Sequence, residues 1–491
     1  MVSTFKINNN NVQHLFFIVF NTVTFVYFIS FKTLHASPRW ANVNKKLMHF
    51  TTIKNKGVTR TSVQAINYVT PMRADIMAKY VYAIFLKDNI ESEWGKELYN
   101  KHIYAINKFE EHYPEKNNLD GFIKAFHNII QSIREKGFNQ YISTIPVDKQ
   151  GNICNGAHRL AACLAYNKKP TVTTYGFPVM APNLSLFELQ KRKLTEEYTD
   201  YMALQYCQLK PNCCMVLLFP RASEGKYGES YLDNVKTFLC KCSDIVYEKD
   251  VYLTNNGATN LLRSVYAGDH WIGDWDNDFA GIQHKVYNCF PKDFFGKVPL
   301  RVILIDLHKP AELAMYKQKI REFIGVDNHS MHTTDTHDQA IELAKLLFND
   351  NSIHFLQHAR RVELKNFEQY FALYSTWLKE NKVKVENFCI DGSAVMSAYG
   401  LRDCADLDYL HHGYNNLHYE SQDIASHNSS INHHTTTKDE IIFNPKNYFY
   451  YGGLKFTSLD VTKEMKKKRG EPKDIIDVEL IEALQEKKEN T

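Results

Sequence analysis

The chain has 491 residues, more than a single hydrophobic core organises, so three or four units are expected. A net charge of +4, from 59 Lys and Arg against 55 Asp and Glu, argues against a nucleic-acid scaffold, and no specific nucleic-acid signal is present. With 13% aromatic residues the chain is suited to packed cores, which excludes extended disorder as its main state.

In chain order, the first predicted element is Leu15 to Phe31, LFFIVFNTVTFVYFISF, an uncharged run of 17 residues. It reaches the lower length limit of a membrane-spanning helix and exceeds a usual signal-peptide core. Residues 1–40 are therefore expected to hold a membrane anchor. Lys32, Arg39, Lys45 and Lys46 follow the run and only Lys6 precedes it. By the positive-inside rule, this predicts a single-pass membrane protein with the bulk of the chain cytosolic. Residues 41–73 read as a basic, polar stem.

Residues 74–182 open with helical periodicity, as in Ile76, Tyr80, Ala83, Ile84 and again Phe122, Phe126, Ile129, Ile130. Two or three helices are expected there. Residues 183–383 read as a mixed α/β domain of unknown type. Its core strands are predicted at Cys214–Phe219 and Leu300–Ile305, apolar runs of buried-strand length, with a helix over Thr336–Phe348. His332, Asp335 and His337 lie close together in sequence. Asp335 or Thr336 reads better as a helix cap than as part of a metal site. Trp271 to Asp278 forms an aromatic-acidic loop fit for stacking or for packing. Residues 384–491 form the last unit, which includes a His- and Asn-rich stretch from His411 to His434 that reads as a loop insertion. The ten cysteines contain no CxxC pair and sit mostly among apolar neighbours. They read as buried reduced thiols.

Between Ile145 and Tyr166 the pattern is strand, turn, returning strand, helix. Asn155-Gly156 opens the helix, where glycine permits a tight entry and free N–H groups favour an anion. His158 and Arg159 add donors and charge at that end. The run Gly156-Ala157-His158-Arg159-Leu160-Ala161-Ala162 resembles the ParB/sulfiredoxin-like fold. That resemblance implies nucleotide or phosphate binding by Gly156, His158 and Arg159. Ala157 stands where sulfiredoxins carry a catalytic cysteine, which argues against sulfinic-acid repair.

The most informative segment is Phe388 to Tyr409, FCIDGSAVMSAYGLRDCADLDY. An apolar strand ends in Gly392-Ser393, a short helix follows, and a second strand carries Asp406-Leu407-Asp408. Residues two apart on a strand share a face, so Asp406 and Asp408 are expected to point together. Paired carboxylates suit divalent metal and in-line displacement at phosphorus. Arg402 is placed to neutralise phosphate charge.

Gly-Ser followed by Asp-x-Asp resembles the polymerase-β-like nucleotidyltransferase superfamily. A later block, Gly453 to Asp460 leading into Lys466 and Arg469 to Asp477, is similar to that of its small members. The resemblance implies a metal-dependent nucleotidyltransferase using Mg2+ or Mn2+ at Asp406 and Asp408, with a nucleoside triphosphate at Gly392, Ser393 and Arg402. The family's third carboxylate is assigned to Glu440, with Asp439 second. The whole is expected to be an α/β (α+β) multidomain protein: a ParB/sulfiredoxin-like unit, a mixed α/β middle, and a C-terminal nucleotidyltransferase fold with a short mixed sheet. Two other readings stand beside it. One is phosphoryl-sugar transfer onto a glycan, as in the LicD/fukutin-like branch. The other is a membrane-tethered nucleotide-binding protein without turnover.

Overall fold

The structure, a computed structural model, describes residues 58–111, 116–176, 178–419 and 421–486. It is mixed α/β, 56% helical, with three small sheets. Among the described residues no helix is long and apolar enough to cross a membrane. This contradicts the expected single-pass membrane protein. The expected span, Leu15–Phe31, and most of the stem lie outside the described residues.

Three helices, Asp75–Asp88, Trp94–Asn107 and Leu119–Lys136, follow from the amphipathic spacing of the amino-terminal region. The third buries Phe122, Phe126, Ile130 and Ile133 on one side, the i, i+4, i+8 stripe of a core-facing helix. Asn118 caps its start, accepting from the Gly121 N–H at 2.8 Å. Strands β1 (Val58–Ser62), β2 (Ile145–Pro146) and β3 (Thr171–Tyr175) form the first sheet in the order β1-β3-β2. Asp148 shapes the turn after β2 by accepting from the N–H groups of Gln150 and Asn152. The helix Ala157–Ala165 then begins at Gly156, whose φ is +92°.

The middle sheet has the order β5-β6-β4-β7, from β4 (Cys213–Leu218), β5 (Ser243–Val251), β6 (Leu300–Leu307) and β7 (Met331–Thr333), all antiparallel. Its central strands read as unbroken apolar runs because both faces are covered. Met215 and Leu217 join the main core. Cys214, Val216 and Leu218 face a second core with the helices Tyr231–Cys242 and Leu313–Ile324. Thr336, one of the two caps the sequence offered beside Asp335, caps the helix His337–Leu347, and the structure adds a reciprocal bond from Gln339.

The third sheet has the order β10-β9-β8-β12-β11. Its strands are β8 (Phe388–Asp391), β9 (Leu407–His411), β10 (Ile424–Ser426), β11 (Tyr448–Tyr451) and β12 (Leu454–Thr457). Gly452 and Gly453, both with positive φ, make the two-residue turn between β11 and β12, which demands glycine-type backbone twice. Helices Asp350–His358 and Lys365–Glu380, placed with the middle domain on sequence grounds, pack on this sheet. Phe355 stacks on Phe449 at 4.9 Å, and Tyr374 lies 4.9 Å from Tyr409. All ten cysteines are free; Cys240 is exposed, Cys154 half-buried and the other eight buried.

Candidate functional site

Strand β8 is buried along its length and delivers Asp391 and Gly392 to the middle of the third sheet. Gly392 has φ +68° and ψ −132°, a backbone state that a Cβ disfavours. A Cβ there would stand 3.0 Å from Asp408 Oδ2. Glycine is therefore what lets Asp408 lie against the turn. The helix that follows, Ser393–Ala398, is only six residues long, so its dipole contributes little to anion binding.

Strand β9 runs antiparallel to β8, with Asp391 and Asp408 as direct partners. Asp406 is exposed, Leu407 buried and Asp408 partly buried, so the two acids share the outward side of the chain. Ser393 donates to Asp406 Oδ1 at 3.1 Å. Strand β10 lies parallel on the other side of β9, with Ala425 opposite Asp408. Two residues on, His427 turns back over the sheet. Its Nε2 is 3.1 Å from Asp408 Oδ1 and its Nδ1 is 3.6 Å from Asp391 Oδ2. His434 Nε2 reaches Asp391 Oδ2 at 2.9 Å, and the Thr457 hydroxyl donates to Asp391 Oδ1 at 3.2 Å.

These contacts set the charges. Burial alone would raise the Asp391 carboxyl, but His434 and His427 beside it hold it well below the usual carboxylate range. Burial pushes Asp408 up to about 6, with Asp406 and Asp391 adding to the rise and His427 opposing it. Burial would lower His427, but Asp391 and Asp408 together raise it above an ordinary imidazole. The site thus holds three carboxylates and a histidine that bridges two of them.

The expected divalent ion does not fit this arrangement. Among the described residues no group of three or more His, Cys, Asp and Glu side chains is placed to hold a metal ion. The physical reason is that His427 stands between Asp391 and Asp408 while the Ser393 hydroxyl takes Asp406. The metal expectation for Asp406 and Asp408, Mg2+ or Mn2+, is corrected accordingly.

Several expected site residues are engaged elsewhere. Glu440 lies on the helix Lys438–Phe443 and accepts from the Ser92 hydroxyl and the Glu93 N–H. Asp439 accepts from the Glu91 N–H and pairs with His412. Both acids thus hold the start of the helix Trp94–Asn107 rather than complete a carboxylate triad. Arg402 makes a two-pronged ion pair with Asp477, 2.6 Å on each arm, and its remaining Nη1 donates to the Asp403 carbonyl. Asp477 also takes Lys466 at 2.7 Å, and Arg469 grips Asp474. The basic residues of the later block are therefore largely spent on locking the last two helices.

The Gly156 region is similarly inward-looking. Arg159 folds back over Gly156, where a Cβ would meet its Nη2 at 2.8 Å. Its Nη1 donates to Ser143 and to the Thr144 carbonyl, and burial lowers it to about 10. His158 bonds the Tyr99 hydroxyl at 2.8 Å and packs edge-on against Phe126 at 4.7 Å. Burial holds His158 well below an ordinary imidazole.

Sequence reasoning missed Asp391, His427 and His434. Asp391 carried a signal: it directly precedes the glycine turn, so an antiparallel pairing of the flanking strands places it opposite Asp408. The histidines carried no usable one, since β10 has only three residues and sits within an irregular polar stretch. No family model, curated protein or solved structure matches the chain.

Proposed function

We propose that the C-terminal unit transfers a nucleotidyl group from a nucleoside triphosphate to an acceptor hydroxyl. The observation that carries this reading is the approach of Asp408 to the Gly392 turn, where a Cβ at 392 would stand only 3.0 Å from Asp408 Oδ2. It brings an acid raised to about 6 against a stretch of open backbone where a phosphate can lie. In the proposed step the acceptor oxygen forms a bond to the α-phosphorus and the bond to the β-phosphate bridging oxygen breaks. Pyrophosphate leaves, and Asp408 takes the acceptor's proton. His427, raised toward its charged form, supplies positive charge beside the transferring group. Asp391 and His434 hold His427 and the turn in place.

A second reading, nucleotide binding without turnover, is favoured by one observation. His427 already compensates Asp391 and Asp408, leaving less negative charge for a catalytic cation than transfer enzymes of this kind use.

The test is pyrophosphate release by the full chain with each common nucleoside triphosphate, with and without magnesium, alongside nucleotide binding by calorimetry. The expected result is release that falls by about 100-fold or more in Asp408→Asn while nucleotide binding persists. Equal release by the two proteins would overturn the transfer reading. Binding with no release from the wild type would leave the second reading in its place.

A further inference from the structure

A cavity of about 530 Å³ lies between the helix Asn255–Val265, the aromatic-acidic loop and the edge of the third sheet at Tyr451 to Gly453. That volume falls within the roughly 300–1,000 Å³ of small-molecule sites. Its wall holds Arg263. The guanidinium lies 3.9 Å from the centre of the Phe279 ring and 4.8 Å from that of Trp275. Beyond these ring faces, Arg263 makes no hydrogen bond or ion pair with the described residues.

Glu368 and Asp278 favour its charge from a distance, but a half-buried cation with no direct hydrogen-bonded partner is costly unless something pairs with it. The obvious neighbours are already engaged. The Asp278 carboxylate accepts from Gln283, and Arg361 donates to Asn256. Arg263 is therefore oriented by two aromatic rings while its fork of N–H donors stays open, an arrangement suited to a carboxylate or phosphate. The rest of the wall mixes polar side chains, Glu342, Glu368, Arg360 and His332 among them, with aromatic ones; Phe371 and Tyr451, 5.3 Å apart, offer flat surfaces to a ring.

We infer that this cavity binds a flat small molecule bearing one carboxylate or phosphate, with Arg263 as the group that receives the anion. The site is separate from the Asp408 centre and does not depend on the transfer reading. It also gives the Trp271–Asp278 loop a role: its Trp275, with the adjoining Phe279, holds the receiving cation.

The probes are 2-naphthoate and 2-naphthyl phosphate, titrated into the full chain by calorimetry, with neutral 2-naphthol as control. At least one acid should bind, and 2-naphthol about tenfold or more weaker, a difference of about 1.4 kcal/mol. Arg263→Met should weaken the acid by about tenfold or more at a temperature where the variant is folded. Asp408→Asn should bind it unchanged. If the Met variant does not fold, Arg263→Lys decides, because it keeps the charge and loses the fork. The inference is overturned if neither acid binds, if the neutral control binds equally well, or if the Arg263 variant that folds binds like the wild type.

Discussion

His427 Nε2 stands 3.1 Å from Asp408 Oδ1, and through this one contact a residue from the irregular polar stretch becomes part of the central sheet's charge balance. The same ring also faces Asp391, which is fully buried. Removing the imidazole leaves two partly or wholly buried carboxylates facing each other. His427→Ala is expected to cost about 3 kcal/mol of unfolding free energy, the scale of breaking a buried pair by deleting one partner. Adding Asp408→Asn should recover part of that loss. Urea unfolding of the two variants checks it, and additive costs would show that the two residues do not act as a pair.

The same pair dictates a pH dependence. Asp408 is raised to about 6 and His427 is raised above its ordinary value. Groups whose folded pKa exceeds the unfolded one stabilise the fold at low pH and lose that contribution as pH rises through the folded value. Asp391 is lowered, so its contribution is present above about pH 4, the ordinary carboxylate value, and disappears only in more acid solution. The melting temperature should therefore fall as pH is raised from about 4, through the Asp408 window that closes near 6, and on through the His427 transition. The decline should be shallower in Asp408→Asn. A melting temperature that rises over that window would show that these groups do not carry the proton linkage.

Gly392→Ala should damage both stability and nucleotide binding. The backbone state at φ +68°, ψ −132° costs a residue with a Cβ about 1–3 kcal/mol. The added methyl would also press on Asp408 Oδ2 at 3.0 Å. A variant that melts like the wild type and binds nucleotide equally well would show that neither the backbone state nor the approach of Asp408 requires glycine at this position.

Arg402 was expected to touch phosphate, but its fork is filled by Asp477. Arg402→Ala should destabilise the last two helices by about 2 kcal/mol, the scale of hydrogen bonds to a charged group, because the almost wholly buried Asp477 loses its guanidinium partner but keeps Lys466. Asp477→Asn should destabilise at least as much, since it also removes the 2.7 Å partner of the buried Lys466. Nucleotide affinity at temperatures where Arg402→Ala remains folded should be unchanged; a large loss would restore Arg402 as a ligand contact.

Hydrophobic patterning made much of the architecture readable. The runs at Cys214 and Leu300 specify buried strands because each is apolar on both faces, and two covering layers are the only way to hide them. A helix cap at Asp335 or Thr336, the strand ending at Gly392 and the outward pairing of Asp406 with Asp408 are local chemistry of a few adjacent residues, so one sequence sufficed for them. The boundary near Lys384 was less readable. Helices Asp350–His358 and Lys365–Glu380 have apolar faces that fit any core, and only packing assigns them to the third sheet.

What the sequence determined by itself was therefore part of the set of elements, the strands at Cys214 and Leu300 among them, and the turn that presents Asp408. What the tertiary structure alone decided was which polar groups meet. Glu440 looked available for catalysis and is instead bound to the backbone of Glu93, 347 positions away. Arg402 meets Asp477 across 75 positions. Asp391 acquires His434 and His427 from a stretch with no readable period. Secondary structure is set by neighbours and by periodicity along the chain, which a sequence displays. The partner of a buried charge is set by whichever opposite charge the folded chain brings within hydrogen-bond reach, and that depends on the packing of whole elements.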